Sequence, residues 1–108
     1  MVILVTTPEV PGRRVKEVLG IVGGMSVRTR GVLGRFIAGL ETVVGGRGTA
    51  YLHELEKARN EALEDLRRNA LQKGANAVVA VDFETAEILE GFIVVTAYGT
   101  AVVIEPEA

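Results

Sequence analysis

Cysteine and tryptophan are absent from the 108-residue chain, and histidine occurs once, at His53. Without cysteine the chain can form no disulfide, thiolate nucleophile, iron–sulfur cluster or cysteine-ligated zinc site. A single histidine also excludes a multi-histidine metal site within one chain. These absences remove most familiar catalytic constellations, and the residues that are present support no Ser–His–Asp arrangement.

A strong charge of either sign is also lacking. Twelve basic and fourteen acidic residues give a formal net charge of −2, so no global field attracts nucleic acid or an anionic membrane. The basic residues are dispersed and aromatic residues make up only 5% of the chain, which argues against nucleic-acid recognition. We therefore expect neither a nucleic-acid partner nor a membrane partner.

Long apolar runs are missing too. The apolar N-terminus is broken at Thr6–Pro8, whereas a secretory signal needs a longer apolar core behind a basic start. The longest apolar stretch, Phe92–Ile104, is interrupted by polar residues and is rich in Val and Ile, which is typical of a strand. The sequence predicts a cytoplasmic protein.

The 48% of residues that are hydrophobic, in a chain of this length, predict a single domain over residues 1–108. Residues 1–7 are predicted to form a short strand. A second strand is predicted over Arg13–Val22, ending at Gly23–Gly24, with residues 26–30 continuing it beyond a bend. Apolar residues at near-helical spacing predict a short helix over Val32–Val44.

The clearest predicted element is a long helix from Ala50 to Lys73, with Thr49 as its N-cap and Gly74 directly after its end. Glutamates crowd its first half and Arg67, Arg68 and Lys73 lie near its C-terminus, as the helix dipole favours. Apolar residues form one stripe along the predicted helix, at Leu52, Leu55, Ala58, Ala62, Leu66 and Ala70, with Leu63 widening it.

Two further strands are predicted after the helix. Residues 75–83 are almost continuously apolar, as in a strand covered on both faces, and residues 84–90 are predicted to be an acidic connection. In the last strand, Phe92–Ile104, both alternating faces are largely apolar and one is lined by small residues. A single long helix covers only one face, so the other is predicted to meet another copy of the chain.

This order of elements predicts an α+β fold with two layers, built as a β-α-β-β unit with a mixed sheet. A right-handed crossover makes the strand before the helix and the strand after it parallel. The last strand can then lie between them.

The segment Gly45–Thr49 opens the predicted long helix, where free backbone N–H groups and the helix dipole can bind an anion. Arg47 would add a bidentate donor. Alternatively, these glycines allow a tight turn or a close approach between subunits. No Walker sequence or dinucleotide fingerprint is present.

Carboxylates provide further candidate sites. Asp82 and Glu84 alternate along a strand and could bind a hard divalent cation, or Asp82 could bond to backbone in an acidic loop. Glu54, Glu61 and Glu64 on the long helix could bind a divalent ion or act as acid and base. They could equally form an ion-paired surface, with Glu64 meeting Arg67 or Arg68.

Three other side chains of the helix are candidates for contacts between subunits or with a ligand. Tyr51 and Arg59 lie eight residues apart and can point the same way. We expect Tyr51 to pack at a subunit boundary, Arg59 to pair with an acid, and His53 to lie at the surface or an interface.

The chain resembles the YbjQ-like family over almost its whole length. The residues that carry the resemblance are Thr6, Thr7, Pro8, Gly20, Ile21, Val22, Gly45, Gly46, Arg47, Tyr51, Glu54, Leu55, Ala58, Arg59, Ala62, Gly74, Ala75, Asn76, Ala77, Val78, Val79, Val81 and Asp82. The resemblance implies a dodecin-like subunit with extra short strands and a short additional helix, assembled as a pentamer.

Members of this family are uncharacterised or described as "putative heavy-metal-binding". A soft metal prefers thiolate or imidazole ligands, so the absent cysteine and the single histidine disfavour one here. Our hypothesis is that the protein is a homo-oligomer, and the resemblance implies a pentamer. It binds either a small ligand or a divalent ion, and the candidate ligands of the ion are Asp82 and Glu84. The candidate ligand-binding residues are Gly45, Gly46, Arg47, Thr49, Tyr51, Glu54 and Arg59. The alternatives are a structural or interaction ring, or an enzyme that uses interface carboxylates.

Overall fold

The computed structural model describes residues 1–29, 49–87 and 92–107. The elements it contains, in chain order, are β1 Ile3–Leu4, β2 Arg13–Thr29, α1 Thr49–Gln72, β3 Ala77–Glu87 and β4 Phe92–Pro106. The helix predicted over residues 32–44 lies outside the described residues. No helix within these described ranges is long and apolar enough to cross a membrane.

The strands form one sheet in the order β1-β3-β4-β2. Strand β4 is antiparallel to both β2 and β3, and β1 is parallel to β3. Strands β2 and β3 therefore run in the same direction with β4 between them, as the crossover rule predicts. Helix α1 packs on one side of this sheet, which confirms the two-layer α+β fold. We call the other side of the sheet the open face.

Helix α1 matches its predicted bounds closely. Gly74 has a φ of +88°, a conformation that glycine adopts without steric cost. The N–H of Ala75 donates to the carbonyl of Ala70 at 3.0 Å and the N–H of Gly74 donates to that of Leu71 at 2.9 Å. These two bonds are a Schellman motif, so the predicted glycine C-terminus is confirmed.

The apolar stripe of α1 is buried over most of its length. Ala58, Ala62, Leu66 and Ala70 are all fully buried against the sheet. Leu52 is an exception and is exposed. The apolar stripe therefore extends beyond the buried surface at this end, where an open cleft separates the helix from the sheet.

Strand β2 does not end at its paired glycines as predicted, but continues unbroken from Arg13 to Thr29. Gly24 allows the helix to approach. A Cβ atom at Gly24 would lie 2.5 Å from the carbonyl oxygen of Ala62 and closer still to the amide nitrogen of Leu66. The glycine is therefore needed for packing rather than for a turn.

Two irregularities in β2 change which side chains share a face. The pairing with β4 shifts at Lys16 and again at Leu19, and each shift inserts one extra residue, as in a β-bulge. Val15, Val18 and Ile21 therefore lie three residues apart along the chain and still point to the open face, opposite Ile104, Val102 and Thr100 of β4.

Strand β3 is longer than predicted. Residues 84–87 pair with β4, with Thr85 opposite Val95 and Ala86 opposite Val94. The prediction of an acidic connection is therefore wrong for these residues, because the backbone pairing with β4 outweighs their polar side chains. Residues 88–90 of that predicted connection lie outside the described residues.

The sheet carries apolar clusters on both faces. Between the helix and the sheet, the largest fully buried side chains are Leu66, Val78 and Val95. The small-residue face of β4, including Ala97 and Ala101, packs here, so the predicted difference between its two faces is confirmed. A smaller cluster lies on the open face beneath the N-terminal segment. Its members are Ala77, Val79, Val102 and Ile104, with Ile3, Val5 and Val10 packed against them.

Replacing Gly24 with alanine should lower the free energy of unfolding by at least 2–3 kcal/mol, roughly the cost of overpacking a rigid site. The added methyl would meet helix backbone, which cannot rotate away. Gly23→Ala is a matched control, because a Cβ there meets only the carbonyl oxygen of Ala97, at 3.5 Å. Urea unfolding measures both variants, and equal losses of stability would contradict the close-packing account.

Candidate functional site

Several predicted site residues fall outside the part of the chain that the structure describes. Gly45, Gly46 and Arg47 are all outside the described residues. Thr49 and Tyr51 belong to the first turn of α1, but their side chains are also outside the described part. The anion-site prediction at this helix entrance stays a prediction.

The predicted carboxylate pair lies on the open face. Asp82 and Glu84 are both exposed and stand opposite Tyr98 and Thr96 of β4. Since residues directly opposite each other share a face, the two carboxylates border the open face along β3. Oδ1 of Asp82 accepts a hydrogen bond from the N–H of Phe83 at 2.8 Å, which is the backbone bonding predicted as one alternative.

Glu54 and Glu61 belong to a network that the sequence did not predict. Nε of Arg28 lies 2.7 Å from Oε1 of Glu54, and its Nη1 lies 2.9 Å from Oε2 of Glu61. The hydroxyl of Ser26 donates to Glu61 at 2.9 Å and accepts from Arg28 at 3.1 Å. We call Ser26, Arg28, Glu54 and Glu61 the polar network. It joins the end of β2 to the first half of α1.

The charged side chains of the polar network are partly buried and pair with one another. The side chain of Arg28 is only 14% exposed, whereas that of Glu61 is 47% exposed. Hydrogen bonds from Arg28 and then Ser26 lower the pKa of Glu61, and the bond to Glu61 is the largest cause that raises the pKa of Arg28. The carboxylate of Glu61 is thus held ionised, and the ion pairs of Glu54 and Glu61 with Arg28 favour the ion-paired alternative for both glutamates.

The helix also covers part of the outer edge of β2. Oδ2 of Asp65 accepts a hydrogen bond from the N–H of Met25 at 2.9 Å. The side-chain amide of Asn69 donates to the carbonyl of Gly23 at 2.8 Å. These bonds occupy backbone groups of an edge strand that could otherwise pair with another chain.

The remaining polar residues of α1 match the sequence analysis in part. Glu64 pairs with Arg67, as predicted, and Asp65 pairs with Arg68. His53 is exposed on the helix surface. Arg59 differs from its prediction, because its guanidinium lies over the Phe83 ring, 5.3 Å from the ring centroid, rather than against an acid.

A cleft of about 440 Å³ lies between the first half of α1 and the ends of β3 and β4. It opens because the helix lies over β2 and β4 and leaves the neighbouring surface of β3 uncovered. The residues that line it are Leu52, Leu55, Glu56, Arg59, Thr85, Ile93 and Val95. Its volume lies within the range of about 300–1,000 Å³ that is usual for small-molecule sites.

Large apolar side chains stand exposed along the open face. Ile21 is 82% exposed and Met25 is 60% exposed. We call this surface the exposed strip; its members are Val15, Val18, Ile21, Met25 and Val27 of β2 with Tyr98 of β4. The sequence predicts the apolar face of β4 but not the strip on β2, because the two bulges interrupt the regular alternation of apolar and polar residues along β2.

The described residues do not fit a soft heavy-metal site. The whole chain has no cysteine and only one histidine. Within the described ranges, no three His, Asp or Glu side chains come close enough to hold a metal ion. Asp82 and Glu84 offer only oxygen donors, which suit hard cations rather than soft ones.

Glu61→Gln should make stability less dependent on pH. Because its folded-state pKa lies below the ordinary 4.5, Glu61 stabilises the fold above that pH and loses this contribution as the pH falls through the folded-state value. The exposed geometry limits the loss at pH 6 to about 1 kcal/mol or less. The loss should become smaller as the pH falls below 4.5.

Urea unfolding at pH 6 and pH 3 measures this difference. Glu56→Gln is the control, because Glu56 lies on the same helix and has no ion pair among the described residues. An equal effect of Glu61→Gln at both pH values would contradict the electrostatic role.

Comparison with known proteins identifies chains related to this one. The sequence profile of the family YbjQ_1, described as "Putative heavy-metal-binding", matches residues 2–105. A UPF0145 protein from Bradyrhizobium sp. (strain ORS 278) is 48% identical over 104 residues, covering 96% of this chain and 94% of that protein. A UPF0145 protein from Picrophilus torridus is 43% identical over 105 residues, covering 97% and 89%.

A solved structure shares the fold. It is a DUF74-family protein of unknown function from Pediococcus pentosaceus, with a TM-score of 0.62 and 16% identity, covering 96% of this chain and 98% of that one. At this identity the likeness shows the fold alone. The profile match and the identities of the UPF0145 relatives together establish that the chain belongs to the YbjQ-like family.

Proposed function

We propose that the protein is a homo-oligomeric binding protein, with five copies as the family resemblance implies, whose open face is buried between copies. The exposed strip is the observation that carries this proposal. Five apolar side chains of β2 are exposed on a single face, whereas scattered exposed apolar residues need no partner.

The dimensions of the strip support burial against another protein surface. From Val15 to Val27, allowing for the bulges, the strip is about 35 Å long at the usual rise per strand residue. Across β2, β4 and β3 the face is about 14 Å wide at normal strand spacing. The whole face therefore has a flat footprint of about 500 Å², of which the part over Val79, Val102 and Ile104 is already covered by the N-terminal segment. An interface of standard size, roughly 800 Å² on each partner, would bury the exposed strip together with surface beside it.

The charges at the margins of the open face favour a second copy as the occupant. Arg13 lies beside Val15 at one end of the face and has no carboxylate partner among residues 1–29, 49–87 and 92–107. Asp82 and Glu84 lie on the β3 margin, toward the other end. Neighbouring copies in a closed ring contact each other through different surfaces. A face with unlike charges at its two ends can therefore meet complementary charges on either side of an apolar centre.

The shape of the chain also supports assembly. The Cα radius of gyration is 17.1 Å, against about 13 Å for a compact domain of about 100 residues. The extents of 59 × 29 × 18 Å describe a thin, elongated subunit. Such a subunit leaves much of its apolar surface bare unless neighbours cover it.

A small organic ligand suits the binding role better than a soft metal. The cleft beside α1 combines an apolar lining with charged side chains, which is the usual composition of a small-molecule site. The available metal donors are only oxygens and one exposed imidazole. A reaction is not part of this proposal, because the carboxylates of the polar network are held as partners of Arg28.

Ile21→Asp should dissociate the oligomer, because it places a charge in the centre of the buried face. Light scattering coupled to gel filtration should give a multiple of the 11.5 kDa subunit mass for the unaltered protein. The variant should give the monomer mass or require at least a tenfold higher concentration to assemble.

Leu71→Asp provides a matched control for this experiment. Leu71 is 62% exposed but lies on α1, away from the open face. We expect this variant to assemble normally. A monomeric unaltered protein at micromolar concentration would refute the assembly, and dissociation by both variants would remove the open face from the proposal.

Titration with Cd²⁺ should show no saturable site at micromolar concentration, because thiolate ligands are absent and imidazole is limited to His53. Isothermal titration calorimetry measures this directly, with His53→Ala as the control. Stoichiometric tight binding that disappears in His53→Ala would contradict the proposal, since it would mean that His53 of several copies converges on one ion.

A further inference from the structure

The charged side chains at the cleft give it a defined polarity. Arg59 rests on Phe83 and has no carboxylate partner among the described residues. Every other arginine of α1, namely Arg67 and Arg68, is paired with an acid. The ring contacts the guanidinium in a cation–π interaction and holds it at the β3 side of the cleft. Its N–H donors remain available to an anion.

A second, opposite charge lines the same cleft. Glu56 lies one helical turn before Arg59, and the two side chains form no ion pair. The hydroxyl of Thr85 is the other polar side-chain group of the lining. A purely anionic ligand at Arg59 would also meet the repulsion of Glu56, and a purely cationic ligand would meet that of Arg59.

The remaining lining is apolar. Leu52 and Leu55 of α1 face Ile93 and Val95 of β4 across the cleft. Leu52 is 61% exposed, so a ligand that covers it gains the free energy of removing an apolar side chain from water.

We propose that this cleft binds a small zwitterion with a branched apolar body, which is the chemistry of an apolar α-amino acid. The carboxylate pairs with Arg59, the ammonium group pairs with Glu56, and the apolar body packs between Leu52 and Ile93. This assignment rests on the proposed binding role and names the class of ligand that the role requires.

L-Leucine is the probe, and isothermal titration calorimetry of the full-length protein measures its affinity. Two analogues each remove one charge, 4-methylpentanoate lacking the ammonium group and leucinamide lacking the carboxylate. We expect saturable binding of leucine and at least tenfold weaker binding of both analogues, because each leaves one charged side chain of the cleft without a partner.

Variants of the cleft test the same assignment. Arg59→Gln should weaken leucine binding at least tenfold and abolish the preference for leucine over leucinamide. Glu56→Gln should abolish the preference for leucine over 4-methylpentanoate. Arg68→Gln, on the other flank of the helix and paired with Asp65, is the matched control and should leave the affinity unchanged.

The possible failures can be told apart by measuring the mass of each variant in solution. No saturable binding of leucine, or equal binding of 4-methylpentanoate, would overturn the assignment, and the oligomer could still stand. Loss of assembly in Arg59→Gln would also overturn it, since the cleft would then be occupied by a second copy of the chain. A monomeric protein that binds leucine with the expected preferences would support the assignment and refute the assembly.

Discussion

The close approach of α1 to strands β2 and β4 is the constraint on which the rest of the structure depends. Gly24 leaves no side chain between β2 and the helix backbone, and Ala97 lies beside it on β4. At this distance Asp65 reaches the outer edge of β2, while Glu54 and Glu61 reach Arg28. A larger side chain at position 24 would separate all of these contacts together, since packed interiors do not deform continuously.

The same packing decides which face of the sheet stays open. The helix uses the small-residue side of β4, so the bulkier side, including Tyr98, faces away from it. This division could be predicted because β4 alternates regularly along its length. The matching strip on β2 could not be, because the bulges at Lys16 and Leu19 replace alternation with a spacing of three residues. Bulges depend on pairing with the neighbouring strand, which a local pattern does not contain.

In the candidate site, too, contacts between residues close in sequence could be predicted, whereas contacts between distant residues could not. The pair of Glu64 with Arg67 follows from helical spacing and was predicted. Arg28 and Glu54 are 26 residues apart, and Met25 and Asp65 are 40 apart, so only the folded chain brings them together. Arg59 illustrates the point further, because its aromatic partner, Phe83, lies on a strand that follows the helix. The sequence indicated a charged residue at that position but not its partner.

The cleft and the exposed strip lie on opposite faces of one sheet and share its strands. Val95 lines the cleft, whereas the next residue, Thr96, lies on the opposite face and pairs with Met25 of the exposed strip. A small ligand in the cleft therefore does not compete for the surface that another copy would cover. Any coupling between ligand and assembly has to pass through β3 and β4 themselves. Both strands are hydrogen-bonded and well packed near Val78 and Ala97, and such a path couples two sites only where it can adopt a second arrangement.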